Sequence, residues 1–144
     1  MEKILISACL LGERCRYDGK SKPNASAQGL MSKYVLVPVC PEVIGGLPTP
    51  RKPSEIIGER VVMVDGTDVT CEYHNGALQT LELANKNGCR IAILKSRSPS
   101  CGKGLVYDGT YTSTLVKGNG VTAQLLLDND ITVYDETEIN KLDL

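Results

Sequence analysis

The sequence predicts an α/β fold, a Rossmann-like three-layer sandwich on a short, mostly parallel sheet. Three observations predict it. Short apolar runs of strand length recur at 4–9, 34–39, 90–95 and 131–134. Segments of helical pattern and length fall between them, at about 70–87 and 120–129. Strands that alternate with helices favour parallel pairing with crossover helices. The 144 residues fit one domain, 1–144, large enough for a real core without disulfides.

Taken in order, ILISAC at 4–9 reads as a strand ending in small residues. Residues 10–29 carry Gly12, Gly19, Pro23 and Gly29 and read as loop with at most a weak helix. YVLVPV at 34–39 reads as a buried strand whose end Pro38 disturbs. Residues 40–54, with Pro41, Gly45, Gly46, Pro48, Pro50 and Pro53, read as a structured loop and not a helix. Two extended pieces follow over 55–64, then an Asp65-Gly66 turn. Asp68 or Thr70 is placed to cap a helix that buries Ala77, Leu78, Leu81 and Ala84 and stops at Asn87-Gly88. RIAILK at 90–95 is the clearest buried strand. Residues 96–113 read as a long loop, 120–129 as a helix, and ITVY as the last strand.

Composition excludes several classes of function. Sixteen basic and seventeen acidic residues give a net charge of −1, with no basic run of the kind nucleic acids attract. With no Phe, no Trp and six Tyr, the core must be aliphatic, and a base-stacking nucleic-acid platform is disfavoured. No apolar stretch reaches the ~20 residues of a membrane span, and Ile4 to Ile6 is too short for a signal-peptide core. A cytoplasmic protein is expected. The glycines match no G-x-G-x-x-G after the first strand, which argues against dinucleotide binding.

Six cysteines in such a chain call for another role than disulfides. There is no C-x-x-C pair, so any metal site must be gathered by the fold. Cys9 ends the first strand, Cys40 follows the second, and Cys101 lies on the loop leaving the 90–95 strand. The carboxyl ends of parallel strands share one edge, where ligands bind. These three thiols should therefore meet at one crevice, as metal ligands or as packing residues. Cys89 precedes its strand and Cys71 sits near a helix start, so both read as fillers. Cys15 is open between ligand, bystander and reactive thiol. His74, the only histidine, falls on the long helix as a surface or interface residue, which argues against histidine catalysis. Lys95, Lys103 and Arg51 read as solvated charge or an anion contact, and Asp18 and Asp108 as turn residues before glycine.

The segments SACLLGERCRYDG (7–19), VCPEVIGGLPTPR (39–51), GTDVTCEYHNGA (66–77), LKSRSPSCG (94–102) and YDGTYTSTLVKGNGVTAQLL (107–126) resemble the YbbK-like family long called DUF523, which includes the thiouracil desulfidases. The likeness covers nearly the whole chain. It implies a 4Fe–4S cluster held by Cys9, Cys40 and Cys101, with one iron open to the sulfur of a small thiolated pyrimidine or nucleoside. It further implies non-redox hydrolysis, with Glu42 as the base and Ser98, or alternatively Ser100, beside the substrate. The rival readings are a non-catalytic zinc or Fe–S module with a redox or regulatory role, and a thiol-only enzyme using Cys15 or Cys101.

Overall fold

A computed structural model describes residues 1–142. Four parallel strands form the central sheet in the order β2-β1-β5-β8: β1 (Lys3–Ser7), β2 (Val35–Val39), β5 (Ile91–Leu94) and β8 (Thr132–Asp135). Two antiparallel hairpins lie outside it, β3 (Ser54–Ile57) with β4 (Arg60–Met63), and β6 (Leu105–Tyr107) with β7 (Leu115–Lys117).

The two-residue period of the strands builds the layers. Leu5, Ala92, Leu94 and Val133 face one side, where Ala84 of α3 (Thr70–Lys86) and Ala123 and Leu126 of α4 (Val121–Asp128) cover them. Ile4, Ile6 and Ile93 face the other side, against Ala8, Leu10, Ala27 of α1 (Ala25–Gly29), Leu30 and Ile139. The buried core on the two faces of the sheet is aliphatic apart from its cysteines, and each fully buried Ile or Leu contributes about 1.5–3 kcal/mol. Among the described residues, no helix is long and apolar enough to cross a membrane.

Several elements differ from expectation. The first strand stops at Ser7, and Cys9 sits in a 3-10 helix, Ala8–Leu11. β2 is an edge strand and mostly half-exposed; an edge tolerates Pro38, and the strand runs regularly to Val39. The stretch read as pure loop after it begins with a short helix, α2 (Pro41–Ile44), because Pro41 falls at the first helical position, where proline is favoured. α3 has Val69 at its N-cap without a side-chain bond; Asp68 accepts from the Thr70 N–H at 2.9 Å instead. Leu78 is 55% exposed, whereas Tyr73, Gly76, Ala77, Thr80 and Ala84 form the buried face. Thr80 belongs there because its hydroxyl donates to Gly76 O at 2.7 Å. The β6–β7 hairpin occupies part of the segment read as loop.

α2 and α3 touch backbone to backbone. A Cβ on Gly76 would lie 2.0 Å from Pro41 O, and one on Gly45 would lie 2.2 Å from Glu72 O. Only glycine permits this approach. Asn75 and Gln79 of α3 then donate to Gly45 O (3.4 Å) and Ile44 O (3.2 Å), satisfying carbonyls at the end of α2.

Candidate active site at the carboxyl edge of the sheet

From β1 the chain crosses the α1 face to reach β2, while β2 and β5 lead into the opposite face through α3 and α4. The connections thus diverge between β1 and β5, the position at which open α/β sheets bind ligands. A cavity of about 540 Å3 opens there, lined by Cys9, Cys15, Cys40, Glu42, Ser98 and Cys101 among others. Three segments far apart in sequence meet at this edge: the turn after β1, the start of α2 after β2, and the loop after β5.

All four cysteines of the cavity are free thiols. Cys101 is enclosed, and Ser7 Oγ lies 3.5 Å from its sulfur. Burial pushes its thiol up to about 12 despite the Ser7 contact, with Cys40 and Glu42 adding in the same direction. Cys40 Sγ donates to Cys15 O at 3.6 Å. Its bond to the Cys15 side chain and its burial raise it well above the usual thiol range. Cys15 is drawn down by Cys40, but its bond to Cys9, burial and the charge of Cys9 outweigh that and leave it at about 11. Such crowded, buried thiols are poor thiolates by themselves and need a cation to become ligands.

Among the described residues, no three His, Cys, Asp or Glu side chains converge on the bonding distance of a single ion. The single-ion zinc site left open by the sequence needs that convergence. A polynuclear cluster takes each thiolate on a different iron, so its ligands stand farther apart than those of a single ion. The donor set, soft thiols with no imidazole, fits such a cluster.

Beside the thiols lies a charged network. Glu42 Oε1 accepts from Arg51 Nε at 3.0 Å, and Ser98 Oγ lies 3.4 Å from Glu42 Oε2. Arg51 also donates to Cys15 O (3.0 Å) and Pro48 O (3.1 Å), tying the first loop to α2. Tyr73 faces the same corner; burial and the nearby Glu42 raise its hydroxyl far above the ordinary range, so it remains a neutral donor. Ser98 Oγ accepts from the N–H groups of Ser100 (3.0 Å) and Cys101 (3.1 Å), which shapes the turn carrying Cys101. Ser100 Oγ lies 2.9 Å from Thr122 Oγ1 in the core, and its side chain also bonds the Cys101 thiol, which it draws down slightly.

The remaining sequence candidates separate cleanly. Cys89 is buried on the α3–α4 side of the sheet, whereas Cys71 is exposed and fills no core. His74 is exposed. Asp18 and Asp108 accept from the backbone two residues on, at Lys20 and Thr110. The cations are not solvated as expected: Lys95 pairs with Glu136, Lys103 with Glu138, and the Arg51 side chain is 3% exposed. Sequence reasoning missed Ser7, which accepts from Lys95 N at 2.9 Å as well as contacting Cys101. Its place at the carboxyl end of β1 was the available signal.

Comparison with known proteins gives concordant matches. Residues 4–138 match the family model described as 2-thiouracil desulfurase. The uncharacterized protein YbbK of Bacillus subtilis (strain 168) is 40% identical, over 96% of this chain and 99% of its own. The structure of the [4Fe-4S]-dependent thiouracil desulfidase TudS superposes with a TM-score of 0.94 at 44% identity, covering 99% of this chain and 96% of the other.

Proposed function

Because this chain belongs to the 2-thiouracil desulfurase family, we propose that it removes sulfur hydrolytically from a thiolated pyrimidine, as base or nucleoside. The observation that carries this reading is the meeting of Cys9, Cys40 and Cys101 with Glu42 and Ser98 on one cavity. The three thiols would hold a 4Fe–4S cluster. When bound, it supplies an iron without a protein ligand, a Lewis acid for the sulfur of the substrate.

The residues of the chain supply the rest. Arg51 holds Glu42 Oε1, which leaves Oε2 directed toward Ser98 and the cavity. Glu42 takes a proton from the water that attacks the thiocarbonyl carbon and returns it to the departing sulfide. One C–S double bond and one water become one C=O and one hydrogen sulfide, with no electron gained or lost. Ser98 Oγ orients the carboxylate and lies where a ring nitrogen or oxygen of the substrate would reach it.

The test is anaerobic reconstitution with iron and sulfide, followed by incubation with 2- and 4-thiouracil and their nucleosides. Uracil or uridine and sulfide should appear in equal amounts. Full iron loading with no sulfide from any of these would favour the non-catalytic module.

A further inference from the structure

The segment joining β6 to β7 is held in an arrangement that costs free energy. Tyr111 (φ +59°) and Ser113 (φ +60°) occupy the left-handed region that non-glycine residues avoid, at about 1–3 kcal/mol each. Glu55 of β3 is only 8% exposed, and a carboxylate removed from water must be hydrogen-bonded. It accepts on one oxygen from Gly109 N (2.9 Å) and Tyr111 N (3.1 Å). The Tyr111 hydroxyl donates to Val62 O on β4. The tip of one hairpin is thereby fastened to the other, at both the main chain and the side chain of Tyr111.

This fastening holds an aromatic residue, Tyr111, in the wall of the cavity. The chain has six tyrosines and no other aromatic of that size, and Tyr17, Tyr73, Tyr107 and Tyr111 all line the cavity. Tyr17 is 40% exposed and its ring faces the Arg16 guanidinium at 5.9 Å. Tyr73 is enclosed beside Glu42. Tyr111 differs in being pinned to a separate hairpin at two points while still half-open to the cavity. We propose that Tyr111 is the platform on which the planar ring of the substrate stacks, and that Glu55 is the positioning residue that sets this platform. This rests on the pyrimidine reading above and names the group that recognises the ring.

The test uses the reconstituted protein. Uracil, the unreactive product, is titrated by calorimetry, 2-thiouracil rates give kcat and KM, and urea unfolding monitors the fold. Tyr111→Ala should weaken uracil binding and raise KM about tenfold or more, while Tyr111→Phe, which keeps the ring and the Glu55 bonds, stays within about threefold of wild type. Tyr111→Leu keeps the bulk of the wall without a π-face and should behave like Ala if Ala unfolds. Glu55→Gln retains the accepting oxygen and should bind as wild type, whereas Glu55→Ala should weaken binding with kcat little changed. Wild-type uracil affinity in Tyr111→Ala or Tyr111→Leu, with desulfuration intact, overturns the platform and leaves the function standing. Weakened uracil binding in those variants of a protein that releases no sulfide keeps the platform and overturns the function.

Discussion

Arg51 Nε lies 3.0 Å from Glu42 Oε1, with the arginine side chain 3% and the glutamate side chain 14% exposed. The pair joins two features of the sequence that lie nine residues apart with a proline-rich stretch between them. It fixes one oxygen of Glu42 and leaves the other facing Ser98.

Removing the carboxylate and removing its charge should therefore differ. Glu42→Gln keeps an acceptor for Arg51 and should retain iron, sulfide and absorbance near ~400 nm, with kcat lower by about 10²–10⁴. Glu42→Ala strands a buried guanidinium and should also cost about 3–5 kcal/mol of stability. A Gln variant with a rate within tenfold of wild type would remove Glu42 from the role of base.

Cys15 places its thiol beside Cys9 and Cys40, and its carbonyl accepts from both Cys40 and Arg51. A main-chain oxygen survives any side-chain change. Cys15→Ser should keep full iron content, whereas Cys9→Ser, Cys40→Ser and Cys101→Ser should each lose it. Iron lost from Cys15→Ser to the same extent would make Cys15 a ligand.

The contact between Gly76 and Pro41 O sets the distance from α3 to the segment that carries Cys40 and Glu42. Gly76→Ala should lower stability in urea by about 1–3 kcal/mol and reduce iron retention, since α2 must shift to admit a methyl group. Gly29→Ala is the control: a Cβ there meets nothing within 4 Å, and both readouts should match wild type.

Glu136 anchors the start of the Cys101 loop, accepting from Ser96 N (2.8 Å), Ser96 Oγ (3.0 Å) and Lys95 Nζ (3.0 Å). Burial pushes its carboxyl up, but the Lys95 and Ser96 bonds outweigh it and hold the carboxyl below the ordinary value. A depressed folded value means the stabilisation is complete above the unfolded glutamate pKa of ~4.3 and is lost as pH falls through the folded one. Glu136→Gln should be less stable than wild type by about 1–3 kcal/mol at pH 7, with the gap closing below about pH 4. A gap that widens on acidification would contradict this assignment.

The sheet was legible because its strands are dense apolar runs, and 90–95 stands out since β5 is central and covered on both faces. Cys9, Cys40 and Cys101 were legible as a group because strand ends alone place them at one edge. α2 was not, because Pro41 reads as a helix breaker unless its position at the helix start is known. The β6–β7 hairpin has three-residue strands, too short for an alternation to register. Leu78 is exposed where burial was expected, and Thr80 is buried because a local carbonyl satisfies its hydroxyl, which side-chain polarity alone does not announce. The fastening of Tyr111 by Glu55 depends on residues 56 apart in hairpins of different sequence, and no local pattern announces it.

Strand β1 pairs with β2 on one side and with β5 on the other. During synthesis the ribosome delivers residues 9 and 40 well before residue 101, so a nascent chain offers two sulfurs without the third. A chain that ends before β5 therefore lacks both a neighbour of β1 in the sheet and the loop that carries Cys101.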